Sequence, residues 1–315
     1  MSGHVLALSG GVGGAKLAAG LGAVLAPGRL TVAVNTGDDF EHLGLTICPD
    51  IDSVLYTMSG RNDRQRGWGL ADETWRTMEQ LRSLGEEDWF NLGDRDMATH
   101  IARSWRLRQG ASLSDVTAHL ARAMGIGHAV FPMSDDPVRT QVCTPGGWTD
   151  FQRWFVGEQC GPAVTAVRFA GTPGAAMAQG FAEALARPDL AAIVICPSNP
   201  YLSVDPVLAV DGVRAALGLR QVPCIAVSPL IGGRALKGPL SKLFSERGLA
   251  GTNLDIAAHY GALIDHIVID RTDAKDADAL RTGGLAVTLS ETLMKSAEDQ
   301  ARLARAVLAA VGVEC

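Results

Sequence analysis

An α/β fold, with a mostly parallel sheet flanked by helices, is what this 315-residue sequence predicts, and three observations carry the expectation. The chain opens on Val5 to Gly22, VLALSGGVGGAKLAAGLG, an apolar strand that breaks into glycines and resumes with helical spacing. Short apolar runs then alternate with helical stretches, above all Leu190 to Cys196 (LAAIVIC), whose unbroken apolar character suits a strand covered on both faces. With 47% hydrophobic and 20% charged residues and 36 glycines, the chain can bury a large core and make many tight strand-to-helix turns.

The first unit reads as strand, glycine turn and helix, with the helix expected from near Ala15. Gly10, Gly11, Gly13 and Gly14 put no side chain between backbone and ligand, and a helix start offers free N–H groups to an anion, so the turn is a candidate phosphate loop; a plain tight connection would look the same. Lys16 is followed by Leu17, which excludes a Walker A loop, and Lys16 itself takes the third-glycine position of the dinucleotide fingerprint counted from Gly11. Leu30 to Asn35 is a second strand that ends in Thr36, Gly37, Asp38 and Asp39. Pro49 to Met58 reads as a helix with Asp50 at its head, and Asp63 to Gly93, with Trp68, Trp75 and Trp89, as a largely helical segment and partial lid. Ile101 to Arg108 and Ser112 to Met124 continue as helices, the latter capped by Ser112.

From Ala129 the period changes. AVFPM, VRTQVCT and WTDFQRWFV alternate like antiparallel strands, which predicts a small β insertion over about residues 129–170 within one domain spanning 1–315. Helix and strand alternate again through Ala178 to Ala186, Leu190 to Cys196, Val222 to Val227, His266 to Ile269 and Leu285 to Leu289, and Ser296 to Val311 closes the chain as an alanine-rich helix.

A net charge of −6 argues against a nucleic-acid binder, while leaving room for a phosphorylated small molecule. Six dispersed cysteines without a CxxC pair fit a reducing cytoplasm. Neither a charged leader nor an apolar window of about 18 residues is present, so the expectation is a cytoplasmic protein without a membrane span.

Asp38, Asp39 and Asp50 fall at a strand end and a helix start, close enough to converge beside the glycine turn. Mg²⁺ is the natural ion for such carboxylates facing a phosphate, although each residue alone would serve equally as a turn or cap residue. Ser198 and Asn199 of the PSNP stretch follow the most apolar strand and are placed to read a polar ring; Ser228 follows the next strand, with Lys237 and Lys242 as possible phosphate partners. Among the histidines, His100 alone stands in a dense polar motif.

In order, SGGVGGAKL, NTGDD, CPDID, GWGLADETW, LGDRDMATH, PMSDDPV, FQRWFVG, PSNP and SPLIGG resemble the 2-phospho-L-lactate transferase family of deazaflavin coenzyme F-420 biosynthesis over nearly the whole chain. The resemblance implies a Rossmann-like, Mg²⁺-dependent, usually dimeric enzyme. Such an enzyme passes a phosphorylated three-carbon acid from lactyl-2-diphospho-5'-guanosine, or its enolpyruvyl counterpart, to the deazaflavin Fo and releases GMP. It also implies metal and Fo-side roles for Asp38, Asp39 and Asp50, with Asp50 and Asp38 catalytic. Asn91, Asp94 and Asp96 would lie near Fo, Gly10 to Lys16 near the diphosphate, and Ser198 and Asn199 on the nucleotide. A related group that binds nucleotide sugars as a regulator is the alternative, distinguished by the PDID to GDRD stretch. An NAD-linked oxidoreductase fits poorly, because the second strand ends in Asn35 and Thr36 rather than in a ribose-binding acid.

Overall fold

The structure, a computed structural model, describes residues 3–236 and 238–315. Its strands are β1 (His4–Ser9), β2 (Leu30–Val34), β3 (Phe40–His42), β4 (Leu45–Ile47), β5 (Ala129–Pro132), β6 (Arg139–Thr144), β7 (Gly147–Asp150), β8 (Ala166–Ala170), β9 (Leu190–Ile195), β10 (Cys224–Val227), β11 (Leu230–Ile231), β12 (Arg234–Ala235), β13 (His266–Asp270) and β14 (Ala286–Ser290). The α-helices are α1 (Gly11–Val24), α2 (Pro49–Met58), α3 (Arg76–Ser83), α4 (Asp94–Arg108), α5 (Leu113–Ala123), α6 (Gln179–Leu185), α7 (Asp205–Ala209), α8 (Val213–Gly218), α9 (Leu240–Glu246), α10 (Asn253–Tyr260), α11 (Ala277–Thr282) and α12 (Ala297–Ala310).

Among the described residues, a seven-stranded parallel sheet runs in the order β14-β13-β10-β9-β1-β2-β5. Its central strands are buried on both faces, as their unbroken apolar sequences require. Leu6, Leu8, Ile193 and Ile195 face a core closed by α6 to α11 and the β6–β8 region. Val5, Ala7, Ala192 and Val194 face the opposite core, closed by α1, α2, α5 and α12. Ser112 and Ser296 each complete a capping box, the former with Asp115 and the latter with Asp299. No helix among the described residues is long and apolar enough to cross a membrane.

Three expectations need correction. Helix α1 starts at Gly11, four residues before Ala15: Gly10 is extended, and Gly11, at a φ of 65°, turns the strand directly into the helix. The low helix propensity of glycine is overridden there by the close approach of Gly13 and Gly14 to Pro197 and Ser198, which a side chain would block. Ala129–Pro132 belongs to the parallel sheet as its edge strand beside β2, and the antiparallel sheet, β7-β6-β8, lies within residues 139–170. An edge strand alternates buried with half-buried residues, so its pattern imitates an antiparallel strand. Between Asp63 and Gly93 the α-helix is limited to α3; Gly67, Gly69 and Asp72 adopt positive φ and break the rest into turns.

Gly20 sets the approach of α1 to α12. A Cβ there would stand 2.2 Å from the Gln300 carbonyl oxygen and 2.6 Å from its carbon, both backbone atoms. Gly20→Ala is therefore expected to lower stability by about 1–3 kcal/mol, despite alanine's better helix propensity. Urea denaturation measures this; an unchanged or raised midpoint would contradict the packing.

Candidate functional site

The chain runs from β1 outward to β2 and β5, then returns to build β9, β10, β13 and β14 on the other side of β1. Connections leaving β1 and β9 therefore diverge at their carboxyl ends and open a crevice, the usual ligand position in open parallel sheets. A cavity of about 750 Å³ lies there. The glycine turn and the PSNP turn form its edge. Ser198 Oγ donates to the Gly10 carbonyl at 2.7 Å and accepts from Gly10 N–H at 3.2 Å. A Cβ on Gly13 would stand 2.3 Å from the Pro197 carbonyl oxygen, and one on Gly14 2.6 Å from Ser198 Oγ, so these glycines let two backbones meet. Asn199 lines the cavity while its Oδ1 accepts from Tyr201 and Leu202 N–H. Lys16 also lines it, with Nζ donating to the Met294 carbonyl at 2.9 Å.

Two buried carboxylates, Asp38 and Asp50, line the same cavity. Asp50, at the head of α2, accepts from Gly11 N–H at 2.6 Å and from Asn35 Nδ2 at 2.9 Å. Asn35 Nδ2 also reaches Asp38 Oδ1 at 3.4 Å, and Gln152 Nε2 donates to Asp38 Oδ2 at 3.0 Å. Burial raises Asp50 to about 6 against the opposing hydrogen bonds of Asn35 and Gly11. Burial raises Asp38 well above the usual carboxylate range, and the nearby Asp50 and Asp39 add to it.

Asp39 departs from the expected grouping. It does not line the cavity; it sits beside the Cys48 thiol, where burial raises it to about 7 against the pull of Arg139. Asp38 lies in the turn before β3 and lines the cavity, whereas the side chain of Asp39 is buried beside Cys48. One N–H of the glycine turn, that of Gly11, is likewise taken by Asp50 and unavailable to a phosphate.

Trp68, Trp89 and Phe90 also line the cavity, as do Tyr56, Asp96 and His100. Asn91 lines it and is exposed. Asp94 is turned away: its carboxylate accepts from Thr74 Oγ1 and from Arg76 and Thr77 N–H, fixing the start of α3, and these bonds, led by Thr74, hold it down to about 2. Trp75 is also outside the cavity, edge-on to Trp68, with the Arg66 guanidinium over both rings. Lys242 pairs with Glu246 away from the cavity, and Lys237 lies outside the described residues.

Fully buried Arg103 pairs through both terminal nitrogens with Asp52 and reaches His100 Nδ1 at 3.1 Å. Tyr56 donates to Asp96 Oδ1 at 2.6 Å. Burial pushes Asp96 upward, but His100, Tyr56 and Arg103 outweigh it and hold the carboxyl below its ordinary range. Asp52, Asp96 and His100 lie close enough together to hold a metal ion, but in this structure Arg103 already supplies positive charge among them. Spacing in sequence hints at this group, since Asp96, His100 and Arg103 share a helix face at i, i+4 and i+7. Gln152 and Asn35 carried no comparable signal.

The profile of the family described as 2-phospho-L-lactate transferase CofD matches residues 5–306. A 2-phospho-L-lactate transferase of Methanosarcina acetivorans is 40% identical over 311 residues, covering 99% of this chain and all of the relative. A phosphoenolpyruvate transferase of Kitasatospora aureofaciens is 39% identical over 313 residues, covering 97% of each. A solved UPF0052-family structure from Bacillus halodurans superposes with a TM-score of 0.62 at 15% identity, covering 98% of this chain and 99% of the other, a likeness of fold.

Raised carboxylates make stability depend on pH. A carboxyl whose pKa is higher in the folded than in the unfolded state binds its proton preferentially when folded, so its contribution is full below about pH 4 and is lost as pH rises through the folded value. For Asp50 at about 6 and Asp39 at about 7, melting temperature in metal-free buffer is expected to fall between about pH 5 and 8. Asp39→Asn should flatten that fall, and parallel curves for both proteins would remove Asp39 as a cause.

Proposed function

The chain belongs to the 2-phospho-L-lactate transferase family, and on that premise we propose that it moves a phosphorylated three-carbon acid from a guanosine-diphosphate-linked donor to the deazaflavin Fo, releasing GMP. It is a transferase, and its relatives are named for 2-phospho-L-lactate and phosphoenolpyruvate transfer. One observation carries the finer reading: a single cavity is lined by the buried Asp38 and Asp50, by the glycine and PSNP turns suited to a nucleotide diphosphate, and by aromatic side chains suited to a flat ring.

Mg²⁺ fits the Asp38 and Asp50 pair. Both are hard oxygen donors, both are buried, and the strongest charged neighbours of Asp38 are further carboxylates. A divalent ion bound there would neutralise charge on the diphosphate and lower the cost of ionising both acids. The Asp52 group suits it less, since Arg103 already neutralises Asp52.

In this reading the donor's GMP part lies along Gly10 to Lys16, Ser198 and Asn199, and the phosphorus bearing the three-carbon acid comes to the carboxylates. A ribityl hydroxyl of Fo attacks it; the new O–P bond forms as the bond to the GMP phosphate breaks, and GMP carries that electron pair away. Asp50 accepts the hydroxyl proton, while Gly11 and Asn35 hold its carboxylate in place. Trp68, Trp89 and Phe90 cover the ring and exclude water that would compete as nucleophile.

Asp50→Asn is expected to lower turnover by a factor on the order of 10² or more with Mg²⁺, Fo and the guanylylated acid, while the protein remains folded. Near wild-type turnover, followed by product mass, would take Asp50 out of the reaction.

Binding separates the ligand assignments. Calorimetry should show guanine nucleotides with Mg²⁺ binding, and Fo should quench tryptophan fluorescence saturably. Trp68→Leu or Trp89→Leu should weaken Fo alone. Tight binding of UDP-N-acetylglucosamine with no guanine nucleotide affinity would favour a nucleotide-sugar regulator instead.

A further inference from the structure

Neutral N–H groups meet all four carboxylate oxygens of Asp38 and Asp50. Gly11 N–H and Asn35 Nδ2 donate to the two oxygens of Asp50, at 2.6 and 2.9 Å, and Asn35 Nδ2 and Gln152 Nε2 to those of Asp38, at 3.4 and 3.0 Å. A carboxylate oxygen has two lone pairs, so each keeps capacity beyond that donor. Of these donors Gln152 comes from furthest along the chain, and it is buried in the cavity wall. Its position is built. Fully buried Trp154 donates Nε1–H to the Pro162 carbonyl at 3.0 Å, and Phe151 stacks on Phe155 with ring centroids 5.2 Å apart. The turn that follows, Arg153–Gly157, is π-helical, a rare form that recurs at functional sites. Arg153 itself stays outside the cavity, its half-exposed guanidinium 5.0 Å over the Trp89 ring. The chain thus carries a cation one residue away and sets the neutral amide against Asp38.

An amide orients a carboxylate without neutralising it, whereas a guanidinium does both. Asp52, on the same helix as Asp50, shows the second case in its pair with Arg103. We propose that Gln152 is a positioning residue for a divalent ion: its N–H fixes Asp38 at the cavity wall and leaves the charge of Asp38, with that of Asp50, for the ion to neutralise. The inference rests on the reading above that places Mg²⁺ at this pair, and it adds the residue that keeps the pair open to a cation. Two consequences have opposite signs. A positive side chain at position 152 would take over the ion's electrostatic role, and a further acid there would increase the need for the ion. A role in packing alone predicts neither.

The test titrates the full chain with Mn²⁺, an oxygen-seeking probe, followed by the paramagnetic resonance of the free ion, and reads melting temperature with and without Mn²⁺ at one pH. Wild-type protein is expected to bind the ion, and Asp38→Asn to lose that binding, which assigns it to the pair. Gln152→Lys should weaken Mn²⁺ by at least about tenfold and remove its effect on melting temperature. Gln152→Glu, nearly the same shape as the wild type, should melt lower without Mn²⁺ and gain more from the ion than the wild type does. Should Gln152→Lys not fold, Gln152→Glu decides alone. Unchanged Mn²⁺ affinity in Gln152→Lys, or a smaller gain from the ion in Gln152→Glu than in the wild type, overturns the inference while the metal reading stands. Wild-type protein that binds no Mn²⁺, or Asp38→Asn that binds it as the wild type does, overturns both.

Discussion

Close backbone contact between the turn after β1 and the turn after β9 is the constraint on which the rest of the site depends. Ser198 bonds both polar groups of Gly10, and Gly13 and Gly14 lie where any side chain would strike Pro197 or Ser198. This contact holds the crevice at a fixed width and sets the start of α1. It also turns Gly11 N–H toward Asp50, so that the first residues of α1 and α2 are tied through one hydrogen bond. The glycines serve the architecture as much as a ligand: two backbones must approach before a phosphate could be cradled between them.

From that junction the electrostatics follow. Asp38 and Asp50 are buried without an adjacent cation strong enough to offset their desolvation, and Asn35 and Gln152 stabilise them only through neutral amides. Buried carboxylates in this state destabilise the fold near neutral pH and are suited to a divalent ion or to a proton from a substrate hydroxyl. Asp52 shows the contrasting solution. Paired through both oxygens with the buried Arg103, it is a structural ion pair whose loss of one partner would strand a charge. The same short stretch, Cys48 to Asp52, therefore supplies one acid that lines the cavity without a paired cation and one that is paired into the framework.

Much of this was legible in the sequence because the relevant forces act within a few residues. Unbroken apolar runs marked β9 and β13, Ser112 marked the start of α5 as its cap, and Pro49 opened the stretch that forms α2. The ordered motifs likewise indicated the family, since motif identity needs no geometry. Gly10, Gly11, Gly13, Asp38, Asp50, Ser198 and Asn199 all line the cavity, as their positions at strand ends and a helix start led one to expect, whereas Gly14 is buried against Ser9 and Ser198.

Other features were decided only by tertiary structure. Whether Ala129–Pro132 joins the parallel sheet depends on the strand it meets, because a half-covered edge strand has the same alternation in either sheet. Asp39 and Asp94 carry the same carboxylate as Asp38 and Asp96, and only the direction of the chain turns one pair into the cavity and the other into a buried pocket or a helix start. Gln152 reaches Asp38 from 114 residues away, on a segment whose own pattern names no partner. Local sequence determines strands, caps and turns because those interactions close within a turn or a pleat; which side chains meet is settled by packing, where neighbours come from distant parts of the chain.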